Sequence, residues 1–515
     1  MINGAGGTVS ITSTAGAITD ANDPPDGTLN ITALNLSMSA ATGVGGTGAT
    51  ATLETQVGNL EAQTTTGGIF IDNIGDLTIG GVTGALDGVR VVTSGDIALT
   101  NAGRIDINVA GERVRGPAAV TITANGAAAD ILTGDNAATP SATVESTGGT
   151  VTLNAGRDLL LGDTAGAGTL GNVFGGGSVV LDAVRDIIVD TGTFVMARGA
   201  GTITANAGRD ISVIDTSGRF DGAEIRTEGG DITLTTGAGG VFTADNSFSP
   251  AVQTTVFGGN GNITINADDI VIQNSIQAGT GIVTLRPRTA GREIDLGTDT
   301  ATSLALTDAE LDLITASILR IGSTTAGSIT FNDLISPALT DTLSLITGDQ
   351  ILDDHNINAA DVQVANLALQ SVNGIANNEL LETLVDTVAA LNTTDGGIAI
   401  LERFAGGDLI VGTVDGVVGL RNEATGANNV FNPTLAIQLE TTDGNLTVND
   451  DIYNSRRNIF LVAQQGNGGA GDSLFTNNAN IVNGDGGSNA NNAQIDIRAN
   501  NMTLATGSTI SAANR

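Results

Sequence analysis

The one histidine of the chain, His355, lies in ILDDHNINAA beside Asp353 and Asp354. An imidazole flanked by carboxylates can shuttle a proton or ligate a divalent cation. Hydrolysis of the serine type would also need an activated nucleophile, and no G-x-S-x-G turn occurs anywhere. The expected role of His355 is therefore a polar turn between strands. Two more acid pairs, Asp268-Asp269 and Asp450-Asp451, repeat the Asp353-Asp354 pattern. Neighbours on a strand point to opposite faces, so each pair supplies one carboxylate per face. These six aspartates are candidates for weak Ca²⁺ binding at turns. Neither the EF-hand loop nor the glycine-rich nonapeptide of calcium β-rolls is present, and no other cofactor is expected. A P-loop is excluded because the chain has no lysine.

A second chemical pattern is written three times: GGTVTLNAGRDLLLG from Gly148, GSVVLDAVRDIIVD from Gly177 and GTITANAGRDISVID from Gly201. Each sets an Arg-Asp pair between two apolar stretches: Arg157-Asp158, Arg185-Asp186 and Arg209-Asp210. Equivalent places in a repeat should stack one above another. The expectation is a solvated structural ladder in which each arginine pairs with an acid on its own or a neighbouring coil. The other reading is an anion-binding strip. A fourth phrase, NAGRIDINV from Asn101, moves its acid to Asp106.

What must position these groups is a repeat that runs far along the chain. Val9, Leu29, Leu53, Ile69, Ile97, Val120, Val151, Val179, Ile203, Ile232, Ile263 and Val283 each open a short alternating apolar run, usually behind a glycine. Alternation over three to five residues marks a strand with one buried face, and the Gly, Asn and Asp clusters between runs mark turns. An irregular period, mostly in the twenties, predicts an all-β fold: a parallel β-helix (β-solenoid) of roughly 20 coils. Residues 1–515 read as one continuous solenoid. Two segments, 306–316 and 377–392, are expected as short helical insertions. The first carries the capping box Thr307-x-x-Glu310, and the second has Leu380, Leu381, Leu384, Val385 and Val388 at helical spacing. The Asn/Gly-rich stretch 483–493 reads as a loop excursion.

Composition narrows the function. The 515 residues include 72 Gly and no Cys, with 55 acidic against 20 basic residues and a formal net charge of −35. Nucleic-acid binding needs clustered cations and is excluded as a partner class. No apolar run is long enough for a membrane helix, so no membrane insertion is expected. The first residues, MINGAGGTVSITS, carry no signal-peptide pattern. Absence of disulfides suits an exported chain that stays unfolded until translocation.

The phrases GGTVTLNAGRDLLLG and GNITINADDIVI resemble the repeats of filamentous-haemagglutinin-like proteins and other large bacterial β-solenoid surface adhesins. VTLRPRTAGREIDLGTD followed by LTDAELDLITASILRIG resembles a block of very large surface proteins of that class. The resemblance implies a right-handed helix and an extracellular or cell-surface location, with adhesion or matrix roles. It also implies host or matrix glycans and proteins as partners. The alternating runs continue close to both ends, which leads to the expectation that copies stack head to tail into a filament, or that the chain is a slice of a longer solenoid. The chain is expected not to be an enzyme. The alternative is a polysaccharide lyase or hydrolase on the same fold, using clustered Asp.

Overall fold

The computed structural model describes residues 1–4, 6–21, 28–47, 51–134, 143–162, 171–190, 192–215, 222–245, 254–355, 359–376, 379–403, 407–424, 435–455, 458–464, 473–484 and 494–512. They form a parallel β-solenoid that divides into two compact units. One is Met1–Ile265 with Val271–Gly281, and the other is Asn266–Ile270 with Ile282–Arg515.

In the first unit most coils carry three strands. One column of parallel strands runs through Ile69–Asn73, Ile97–Asn101, Val120–Ala124, Val151–Ala155, Val179–Ala183, Ile203–Ala207 and Ile232–Thr235. Its register never slips: Val120 pairs with Ile97 and Val151, and Val179 with Val151 and Ile203. A second column holds Ile131–Thr133, Leu159–Leu161, Ile187–Asp190 and Ile211–Ile214, and a third holds Val114–Gly116, Val144–Ser146, Val173–Gly175 and Phe194–Ala197. Odd positions point inward, so Val151, Leu153, Leu159, Leu161 and Val173 are all fully buried. Each such side chain contributes about 1.5–3 kcal/mol by leaving water, and like residues stack on like.

The glycine that opens each phrase has a steric cause. A Cβ on Gly201 would sit 2.1 Å from the carbonyl oxygen of Gly177, one on Gly230 2.0 Å from that of Gly201, and one on Gly261 2.2 Å from that of Gly230. Coils turn this corner at a separation that only a hydrogen side chain allows.

The second unit repeats the scheme through Ile282–Arg286, Ile318–Gly322, Thr342–Ile346, Asn366–Ser371 and Thr387–Asn392, with Leu319, Leu343, Leu367 and Val388 stacked inside. A single helical turn, Asp308–Leu311, lies within 306–316, where the Glu310 carboxylate accepts the Thr307 N–H at 2.9 Å and its hydroxyl at 2.8 Å.

Segment 377–392 is not helical where it is described: Leu381–Leu384 and Thr387–Asn392 are strands. The helical spacing arises because Leu381 and Val385 are separated by the buried polar residues Glu382 and Thr383, so the first strand shows no apolar period of two. Leu367 and Val388 face the interior, while Ala368 and Ala389 on the outer face lie beneath a hairpin, Thr413–Val414 paired antiparallel with Val417–Val418. Its turn is Asp415-Gly416, both left-handed (φ 46° and 80°), the geometry a two-residue hairpin demands. The Asn/Gly-rich stretch falls mostly outside the described residues.

Inside the spiral, polar ladders accompany the apolar ones. In the second unit Ser371 Oγ donates to Asn392 Oδ1, and asparagine amides then link Asn392 to Asn422, Asn422 to Asn454 and Asn454 to Asn483 at 2.9–3.2 Å. All are buried strand-end residues. The first unit has the same link between Asn73 and Asn101, after which the column continues as Ala124, Ala155, Ala183 and Ala207.

Candidate functional site

The Arg-Asp pairs form a stair down one corner. Arg157 reaches back to Asp130, Arg185 to Asp158 and Arg209 to Asp186, each through two guanidinium nitrogens and with an Nε–Oδ1 distance of 2.7 Å. Each arginine also touches the acid beside it, at 3.5 Å for Asp158, 3.4 Å for Asp186 and 3.2 Å for Asp210. The same Oδ1 atoms accept the backbone N–H of the next step: Asp158 N–H on Asp130, Asp186 N–H on Asp158 and Asp210 N–H on Asp186. The carboxylates of Asp130, Asp158 and Asp186 are thus buried structural acceptors, while the guanidinium groups lie about half in water. Burial pushes the Asp130 carboxyl up, but the Arg157 hydrogen bond and the Asp158 N–H together hold it below its ordinary value. With every guanidinium already committed to carboxylates, this strip offers an incoming anion little.

The six candidate aspartates do not gather. Asp268 is buried and accepts both the N–H and the hydroxyl of Thr289, whereas Asp269 lies on the other side of its strand, half-buried. Asp450 accepts the Thr413 hydroxyl at 2.7 Å, and Asp451 the Asn480 N–H at 2.8 Å. Asp354 is exposed. Only Asp353 joins other acids, and they come from elsewhere in the sequence.

Asp353 ends the strand Ile351–Asp353 at an inward position, stacked on Phe331. Asp361 immediately precedes the strand Val362–Gln363, and Glu382 lies in Leu381–Leu384. Asp353 and Asp361 belong to one coil and Glu382 to the next, stacked on it, so that one carboxylate oxygen from each lies within 4.8 Å of the others. Asp353 and Asp361 are 0 % exposed and Glu382 2 %. Backbone donors fix two of them: His355 N–H on Asp353 Oδ1 at 2.8 Å, and Glu382 N–H on Asp361 Oδ2 at 2.7 Å. His355 Nδ1 lies 3.2 Å from Asp361 Oδ1, and Arg403 Nη1 donates to Glu382 Oε1 at 3.2 Å. Burial, with the Asp353 charge next, pushes Asp361 up to about 8 and Glu382 up to about 7. His355 thus belongs to a buried carboxylate cluster as well as to a turn. The readable signal was Glu382 itself, an acid at a core position in ELLETLV.

Beside the outer hairpin lies an open groove of about 690 Å³, lined by Leu391, Val417, Ile452 and Tyr453 together with Asp415, Asp450, Asp451 and Arg421. The Tyr453 ring, the only one of its kind in the chain, is covered by the Arg421 guanidinium at 5.1 Å. Among the described residues no helix is long and apolar enough to cross a membrane. No protein-family model matches the chain, and neither a curated protein nor a solved structure matches it.

Proposed function

We propose that the chain is a non-catalytic structural β-solenoid of a secreted or cell-surface bacterial protein, serving as stalk, adhesin or extracellular fibre subunit. The observation that carries this reading is the commitment of its ionisable groups to the framework. Asp353, Asp361 and Glu382 converge in the interior, away from any polymer that could lie along the surface, while the three aspartates along the open groove are each held by the framework: Asp415 by Arg320, Asp450 by the Thr413 hydroxyl and Asp451 by the Asn480 N–H. Where charges are accessible, as on the arginine stair, they are paired within the protein. A polysaccharide lyase or hydrolase needs the opposite, an acid and a base facing an open cleft. What remains outside is an acidic surface rich in Thr, Asn and Asp, suited to many small polar contacts with matrix glycans or proteins.

Stacking of copies is part of the proposal. Met502, Leu504 and Ile510 stand in register with buried Phe475, Asn477 and Ile481, yet are 51 %, 59 % and 40 % exposed. Another coil laid on this face, from a second copy or from continuing chain, would cover them.

The test is to incubate the purified chain with acidic and neutral polysaccharides, following reducing ends and unsaturated products, and to measure retention on immobilised matrix glycans and proteins. Retention without product formation is expected. Product release that falls when Glu382 is replaced by Gln would overturn the structural reading in favour of the enzyme.

A further inference from the structure

The cluster at Asp353, Asp361 and Glu382 poses a problem that the solenoid does not solve. Ionised, the three carry three negative charges in a dry interior, and the cation in contact with Glu382 is a single guanidinium, that of Arg403. Buried charge of one sign is strongly unfavourable unless it is compensated. Glu382 Oε2 is buried, its carboxylate almost wholly enclosed, and no framework N–H or hydroxyl reaches this oxygen. Without a cation the cluster is neutral only while its carboxyls keep protons that they share. The group is also more than a set of acids: the imidazole of His355 backs Asp361 at 3.2 Å on one nitrogen and faces exposed Asp333 at 3.5 Å on the other. A histidine set behind a carboxylate in this way holds the carboxylate in orientation, as outer partners of metal ligands do.

We propose that Asp353, Asp361 and Glu382 bind one hard divalent cation of calcium size, with His355 as the positioning residue behind Asp361. Ca²⁺ holds its oxygens at roughly 2.3–2.6 Å, so three oxygens that all lie within 4.8 Å of one another can reach one such ion. Mg²⁺ gives up its waters reluctantly and demands a near-ideal octahedron, both of which an enclosed site built from three side chains opposes. The charges also balance: three carboxylates against one divalent ion and Arg403. Entry would be past His355, whose side chain is 17 % exposed. The ion would tie together two successive coils whose carboxylates otherwise repel at this point. The inference is independent of the adhesive reading and survives its failure.

The experiment uses the full chain stripped with EDTA and dialysed, then titrated with CaCl₂ and in parallel with MgCl₂, by calorimetry and native mass spectrometry. Expected is one Ca²⁺ per chain bound at least tenfold more tightly than Mg²⁺, lost in Glu382→Gln and in Asp361→Asn but retained in Asp269→Asn. Equal Ca²⁺ binding by wild type and Glu382→Gln, or Mg²⁺ binding as tight as Ca²⁺, would overturn the proposal. Should both cluster variants fail to fold, hydrogen exchange of wild-type peptides from 351–384 decides. Slower exchange in Ca²⁺ than in EDTA supports the site, and identical exchange refutes it.

Discussion

Replacing Asn422 by alanine measures how much of the spiral's stability comes from its inner amide ladder. Asn422 Oδ1 accepts from Asn392 Nδ2 at 2.9 Å and from the Ala424 N–H at 3.3 Å, and its Nδ2 donates to Asn454 Oδ1 at 3.2 Å and to the Ala436 carbonyl at 3.3 Å. A hydrogen bond contributes about 1 kcal/mol net, and a buried group stranded by its partner's removal costs about 1–3 kcal/mol. Asn392 keeps the Asp395 carbonyl at 2.7 Å, which limits the damage on that side. The single variant should therefore lose about 2–4 kcal/mol. The all-alanine run in the first unit, Ala124 to Ala207, shows that a column of this fold closes without amides when every member is apolar. The double variant Asn422→Ala/Asn454→Ala should accordingly lose much less than the sum of the two single losses. Solenoids open in parts, so urea midpoints should be read together with hydrogen exchange of peptides covering 387–454. Strictly additive losses, or a single loss below about 1 kcal/mol, would show that the ladder is passive filling.

Gly230→Ala drives a methyl into the Gly201 carbonyl at 2.0 Å; a loss of at least about 2 kcal/mol is expected, with calorimetry as the check and an unchanged melting temperature as the refutation. Glu224 is held above its ordinary value by burial, only partly offset by Arg226, so the folded state binds more protons than the unfolded one and stability falls as pH rises past the ordinary glutamate value. Glu224→Gln should raise the urea midpoint at pH 7 and leave it unchanged at pH 4. Asp130 has the opposite sign: its lowered value contributes stability above the ordinary aspartate range that is lost on acidification, and Asp130→Asn should flatten that loss. Asp415→Asn weakens the two-pronged contact with Arg320, at 2.6 and 3.0 Å, that pins the hairpin tip; exchange in 413–418 should speed up as if about 1–3 kcal/mol of local stability were lost, while the strands beneath stay protected.

The fold was legible because its rules are local. A glycine, an alternating triplet and a turn specify one coil wall, and the stacking of Val151 on Val120 and Val179 follows from repetition. The amide ladder was equally visible, since Asn closes IFIDN, IALTN, AALN, GLRN, IYN and NIVN, but strand-end asparagines are easily taken for turn residues. The hairpin was marked by Asp-Gly between valines and was masked by the alternation around it. The carboxylate cluster was half hidden: Asp353 and His355 stood out as a pair, whereas Asp361 meets them where its coil folds back and Glu382 only through stacking of the next coil, which no spacing rule encodes. The second helix failed as an expectation because Glu382 and Thr383, polar yet buried, interrupt the alternation of the strand Leu381–Leu384 and leave its leucines at helical spacing.

Val144, Val173 and Val195 stay stacked although the stretch from Thr133 to Val144 is far longer than that from Asp190 to Phe194. Length at that corner is thus decoupled from the interior. Mutation, recombination or a protein engineer can lengthen, shorten or replace these segments while the aliphatic columns keep their alignment. Such a scaffold can diversify what it displays without renegotiating how it folds.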